Sequence, residues 1–205
     1  MRALFGVAFF LALAYLEPRR SEAATFWDHW SDGKAEVNGY TLRYSRYGAQ
    51  RSGYAILIYV TEPFSRSRKV KVDAYDPKNP DHFISLKLNR IERFQTGVYD
   101  YSVMSSVFTD PEAGFRAVKS VFSSQEWCGQ MYEEARFGPN STKLSVRSYF
   151  DGETTEVGLP GGLGAEEALW VRARGLTMDG PGGVPAAPAP IAWQCHETSP
   201  GPPRP

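Results

Sequence analysis

Cys128, within Gln125-Glu126-Trp127-Cys128-Gly129-Gln130, is the first candidate for covalent chemistry. A cysteine attacks as its thiolate, and generating one calls for a base, most often histidine. The chain has three histidines, His29, His82 and His196, and no spacing links any of them to Cys128. Two plainer readings stand beside catalysis: a buried thiol on a strand, or one half of a disulfide with Cys195. Such a bridge would close a 68-residue span. On the chain-entropy account it would stabilise the fold by about 4 kcal/mol and pin Trp193 and the tail to the body. Against it, Cys195 lies in a Pro-rich stretch with little to place it accurately.

Asp28-His29-x-x-Asp32 carries metal-type ligands at a spacing that meets on one helical turn. A stable zinc site wants three or four ligands with second partners behind them. The flanking Trp27 and Trp30 point instead to an aromatic plug, so no metal and no cofactor is expected. The chain has no G-x-S-x-G, P-loop, G-x-G-x-x-G or H-E-x-x-H sequence. The glycine-rich GLPGGLG at 158–164 lacks a P-loop lysine and reads as a flexible entry to a helix. Asp151-Gly152-Glu153 lacks the alternating oxygens of a calcium loop and reads as a hairpin turn. Asn140-Ser141-Thr142 fits a glycosylation sequon and equally an ordinary turn after Pro139.

No reactive centre therefore assembles from spacing alone, and the aromatic residues become the more informative set. Tyr40, Tyr44, Tyr54, Tyr59, Tyr99, Tyr101, Tyr132 and Tyr149 all fall on strand-like segments. They serve either as packing girdles or as the polar-tipped lining of a pocket for an apolar ligand. The residues expected to touch such a ligand are Tyr99, Tyr101, Trp127 and Tyr132, which lie on the longest neighbouring strands.

The elements that hold these side chains are mostly strands. Period-2 alternation runs through 37–47, 70–74, 84–91, 98–108, 115–122, 128–136 and 144–150. Residues 54–60 (YAILIYV) form a continuous apolar run, expected of a strand covered on both faces. Parity slips at Ile91, which predicts a β-bulge near Arg90. One helical turn is predicted over 26–30. A helix is predicted over 164–173, with Glu166 and Glu167 in its first turn and a stripe of Leu169, Trp170 and Ala173 facing the core. The expected fold is mainly β: a curved antiparallel sheet or half-barrel of about eight strands with one C-terminal helix.

Both ends of the chain differ from this body. Arg2 precedes residues 3–16 (ALFGVAFFLALAYL), an uncharged run too short for an ordinary span of about 20 residues and suited to a signal peptide. Ser21 and Ala23 set a cleavage point before Ala24, so 1–23 is expected to be removed; an uncleaved anchor is the alternative, given Arg19 and Arg20. From 179 to 205, eight residues are proline and four are glycine, so a disordered tail is expected after a domain spanning 24–178.

Composition excludes several classes. The 205 residues carry 23 basic and 23 acidic side chains, and removal of 1–23 leaves a net charge of −1. A nucleic-acid partner is not expected without a basic excess. Two cysteines exclude a disulfide-dense scaffold. No integral membrane segment remains once the leader is removed.

Four stretches resemble an exported bacterial family without assigned function: 26–40 (FWDHWSDGKAEVNGY), 86–108 (LKLNRIERFQTGVYDYSVMSSVF), 123–129 (SSQEWCG) and 148–153 (SYFDGE). Some members carry the label of a septum-formation inhibitor of the Maf type. That label implies a cytoplasmic nucleotide pyrophosphatase with an α/β fold and a Ser- and Arg-rich N-terminal phosphate motif. The present chain has an export signal, a β-rich body and no such motif, so the label's chemistry is not carried over. The resemblance implies an exported protein and assigns no catalytic residue. The leading expectation is a soluble periplasmic or extracellular protein that binds a lipid or other apolar or amphipathic ligand without catalysis. A structural partner in an envelope assembly, through strand edges or the tail, is the alternative. A thiol enzyme or hydrolase centred on Cys128 or on Asp28 and His29 comes after both.

Overall fold

The computed structural model describes residues 26–175 and 190–191. Residues 1–23, read from sequence as a cleaved leader, Cys195 and nearly all of the 179–205 stretch lie outside the described residues.

A five-residue helix, α1 (Phe26–Trp30), precedes eight strands in simple sequence order: β1 (Glu36–Arg46), β2 (Ala49–Ser65), β3 (His82–Thr96), β4 (Tyr99–Asp110), β5 (Arg116–Glu126), β6 (Gly129–Arg136), β7 (Ser141–Ser148) and β8 (Thr155–Pro160). All neighbouring pairs are antiparallel, so the sheet is an up-and-down meander. The short β9 (Gly164–Ala165) pairs in parallel with β10 (Pro190–Ile191), and α2 (Ala168–Gly175) lies between them in sequence. Among the described residues no helix is long and apolar enough to cross a membrane.

The sheet curls without closing. Side chains from the first hairpin (Tyr44, Arg46, Tyr47) and the last (Phe150, Glu153) line one small pocket. In a flat sheet, β1 and β7 would stand about 29 Å apart at the usual strand spacing. Only strong curvature brings them together, yet β1 and β8 remain unpaired edges. Turn chemistry starts this geometry: Tyr47 and Gly48 both take positive φ (53° and 68°), as a two-residue hairpin turn of the inverted type requires.

Register explains the core. Tyr59, Leu88, Val107, Ser120 and Ala135 stand side by side across β2 to β6 on the inner face, all buried. Trp30 from α1 and Val171 from α2 cover this row. The 54–60 run alternates: Ala55, Leu57 and Tyr59 are buried inward, while Ile56, Ile58 and Val60 are only half-buried on the outer face.

Four local expectations are corrected. The alternating stretch 70–74 is not a strand of the sheet; it belongs to a 66–81 loop folded over the outer face, with one bridge between Lys71 and Phe64. The loop is knitted by Arg66 N–H to the Asp81 carbonyl (2.8 Å), Val72 N–H to the Pro63 carbonyl (3.0 Å) and Ser67 N–H to the Asp81 carboxylate (2.7 Å). It adds Val72 to the buried residues of that end, where Phe64, Phe83 and Val118 form an outer cluster. The strand β8, of which only residues 158–160 fall in the 158–164 stretch read from sequence as a flexible helix entry, takes its place in the count.

The pairing around Arg90 is continuous, and Ile91 simply faces outward between Ile56 and Met104. The bulge falls instead at Phe108/Thr109, where the extra residue, Val118, joins the outer cluster. Finally, the helix begins at Ala168, not Gly164, because Gly164 and Ala165 pair with β10. Its buried side is Ala168, Val171 and Arg172, while Leu169 and Trp170 are 47% and 54% exposed.

The outer face carries its own polar network. The Glu134 carboxylate accepts from Lys119 Nζ (2.8 Å), Arg136 Nε and the Tyr132 hydroxyl (3.0 Å). Burial raises its pKa, but the hydrogen bonds from Lys119 and Arg136 outweigh that and hold it below the ordinary 4.5. A carboxyl depressed in the folded state contributes stability above its unfolded pKa and loses it as pH falls through the folded value. Glu134→Gln is therefore expected to cost about 2 kcal/mol near pH 7, since it leaves Lys119 half-buried without its charge partner. The gap to wild type should narrow below about pH 4, as urea unfolding near pH 7 and near pH 3 will report.

Candidate functional site: an aromatic mouth

Inside the open end of the curled sheet, three rings form one stack. Phe94 of β3 and Tyr101 of β4 are register partners with centroids 5.0 Å apart and planes 7° from parallel. Tyr44 of β1 lies on the other side of Phe94 at 4.5 Å and 19°. This stack of three rings spans four strands, β1 to β4, because Gly53 of β2, opposite Phe94, has no side chain to intervene. Glycine covered by a neighbouring ring is a known way of filling a curved sheet.

Val103, Phe122, Ser124 and Met131 continue the lining, and Phe150 and Glu153 reach in from the β7–β8 turn. The cavity measures about 100 Å³. A void of about 150 Å³ holds a benzene ring, so this smaller pocket takes the end of a chain or part of a ring, with the rest of any ligand outside.

Polar groups mark one side. Arg46 stacks its guanidinium over Tyr47 (4.8 Å) and Tyr101 (5.6 Å), and the Tyr47 and Tyr101 hydroxyls are 2.9 Å apart. Burial and then the Tyr47 hydroxyl push Tyr101 up to about 12, so this phenol stays neutral across the physiological range. Arg46 Nε is buried without a hydrogen-bond acceptor. An orphaned donor of this kind costs about 1–3 kcal/mol, and a ligand acceptor beside it would recover that. Tyr47 itself holds φ 53°, unusual for a residue other than glycine, asparagine or aspartate, at the pocket wall.

The mouth has an apolar collar. A meander sends the β1–β2, β3–β4, β5–β6 and β7–β8 turns to the same end of the sheet. Those turns carry Tyr47, Val98, Tyr99, Trp127, Tyr149 and Phe150, all exposed, with Val98 at 71%, Trp127 at 65% and Tyr149 at 69%. Tyr99 and Trp127 pack edge to face at 5.6 Å, as do Tyr149 and Phe150 at 5.5 Å.

Of the four residues singled out from sequence, Tyr101 lines the pocket and Tyr99 and Trp127 sit together on its collar. Tyr132 is not brought to them. It is adjacent to Met131, so it faces outward, where its hydroxyl donates to Glu134. Sequence reasoning did not single out Arg46, Tyr47, Phe94, Phe122, Met131 or Phe150 for the site. Strand parity counted from Tyr101 would have reached Phe94, Phe122 and Met131.

Among the described residues neither reactive candidate is joined by a histidine base or a third metal ligand. Cys128 is exposed on the β5–β6 turn; partial desolvation of its thiol and then the Glu126 carboxylate push it above its ordinary pKa, which makes thiolate scarcer. His82 begins β3 at the opposite end of the sheet and bonds within the 75–82 turn. His29 packs edge-on against Trp30 at 4.9 Å, and Asp32 accepts from the Lys34 N–H at 2.9 Å. Among the described residues no three metal-type ligands converge.

Comparison with protein-family models, curated proteins and solved structures returns no match.

Proposed function

We propose that the protein binds an amphipathic ligand without transforming it, taking an apolar end into the aromatic mouth and a hydrogen-bond acceptor beside Arg46. The observation that carries this reading is the pairing of the Tyr44–Phe94–Tyr101 stack with a buried, unpaired Arg46 Nε in one pocket. The apolar collar supports a ligand that extends beyond the cavity, since Tyr and Trp rings suit a boundary between apolar matter and water. Export through the 1–23 leader would place this activity in the bacterial envelope or outside the cell, where lipids and their fragments supply ligands of that kind.

Dodecanoate and 3-phenylpropanoate are suitable probes, each joining an apolar end to a carboxylate. Calorimetric titration should saturate, and the Met131 methyl resonance should shift along with it. Tyr47→Asn tests the site without threatening the fold, because asparagine accepts positive φ. The variant should be as stable as wild type or slightly more so, yet bind at least about tenfold more weakly, the equivalent of 1.4 kcal/mol. A failure of both probes to saturate, or full binding by Tyr47→Asn, overturns the proposal.

A further inference from the structure

We propose that a second cleft, at the end of the sheet opposite the aromatic mouth, binds a tetrahedral oxyanion through Arg66, Lys69 and Arg116. This site stands independently of the mouth. The cleft has a volume of about 180 Å³, and its walls come from the 66–81 loop, the β4–β5 connection, the start of β5, and the Gly138-Pro139 and Gly162-Leu163 segments. That is room for a phosphoryl group with some of its water, at about 30 Å³ per water molecule.

Its charge is one-sided. Asp110 is the one carboxylate in the lining, and it is already committed: one oxygen pairs with Arg66 and the other accepts the Glu112 N–H at 3.2 Å. Lys69 and Arg116 have no carboxylate within ion-pairing distance among the described residues, so both line the cleft without an ion pair of their own. Burial and then Arg66 depress the pKa of Lys69, despite Asp81 and Asp110, and an anion between these cations would offset both effects.

Arg66 is held in place before any ligand arrives, and the backbone is fixed at or beside the other two cations. The Arg66 guanidinium lies over the Phe83 ring at 4.2 Å while it pairs with Asp110. Lys69 adopts φ 58°, a left-handed conformation that a lysine takes only under constraint. Its N–H donates to the Ser65 carbonyl (3.0 Å) and its own carbonyl accepts from Lys119 Nζ (3.2 Å). Phe115, just before Arg116, is likewise left-handed at φ 57°, with its N–H on the Asp110 carbonyl (2.9 Å). Strained backbone on both flanks of a basic cleft is the pattern of a prearranged site. Arginine's fork of donors suits phosphoryl oxygens.

The test titrates inorganic phosphate and glycerol 3-phosphate against the full chain, with chloride at matched ionic strength as reference. Saturable binding above the chloride background is expected, with Lys69→Gln and Arg116→Gln each weakening it about tenfold. Lys78→Gln, an exposed lysine outside the cleft on the same loop, should bind as wild type does. Tighter binding of glycerol 3-phosphate than of inorganic phosphate would identify an ester as the ligand class, and equal binding the free ion. Absence of saturation with both, or an equal loss in Lys78→Gln, overturns the proposal, since the latter is what general charge screening produces. Unchanged melting temperatures in the variants separate loss of the site from loss of the fold.

Discussion

Gly53→Ala is expected to lower the unfolding free energy by about 3 kcal/mol, at the upper end for overpacking a well-filled interior. A Cβ at this position would stand 2.0 Å from the Arg93 carbonyl oxygen and 2.9 Å from the Phe94 Cβ. Neither can retreat easily, because Gly53 and Phe94 are register partners within the β2–β3 ladder. The same change should uncouple Tyr44 from Phe94, so probe binding at the mouth should fall with stability. Gly39→Ala is the matched control: it also sits inside a strand, but its Cβ would meet nothing within 4 Å. That variant should match wild type or gain a few tenths of a kcal/mol from the stiffer unfolded chain. Equal stabilities for the two variants in urea would mean that the backbones of β2 and β3 do not approach so closely.

Gly53 also marks where sequence reading stops. Alternation reports which side chains share a face, and it placed β1, β3, β4, β5, β6 and β7 because each has one face against the core and one against water or a loop. It fails where the period persists without pairing. Val70, Val72 and Ala74 alternate as a strand does, yet Val72 alone is buried and the segment crosses the outer face as a loop. The parity slip at Ile91 has a similar cause. The outer face is itself partly apolar, with Ile56, Ile91 and Met104 adjacent, so an outward isoleucine needs no bulge. In α2 the misreading is rotational. Trp170 and Leu169 are the largest apolar residues there, but the small Ala168 and the branched Val171 fit against the sheet, leaving the larger two outside.

The mouth was half legible for the same reason. Which tyrosines lie on strands can be read from the chain; which face each occupies depends on register, and one residue separates Met131, in the pocket, from Tyr132, on the outer face. The curl that carries Tyr47 and Phe150 to a common cavity is a property of all eight strands together and leaves no local signature. The basic cleft is less legible still, since Arg66, Lys69 and Arg116 are converged by a loop whose path no period announces.

Trp30→Ala carries the largest expected loss, about 4 kcal/mol, or roughly 10 °C in melting temperature for a body of this size. Helix α1 has five residues, far too few to persist alone. It stays because Trp30, 4% exposed, closes the inner core against Tyr59 at 6.4 Å, with Phe26 beside it at 6.3 Å. The Thr61 hydroxyl donates to the Trp30 carbonyl at 2.9 Å and satisfies the helix end. His29→Ala and Asp32→Ala remove two of the three metal-type side chains of the same segment from exposed positions and should each change stability by less than about 0.5 kcal/mol. Thermal unfolding of the three variants thus separates two roles for one short sequence. A plug requires that Trp30 dominate and that the charged neighbours be silent; the reverse order would mean that 26–32 is held in place for the sake of its histidine and aspartates.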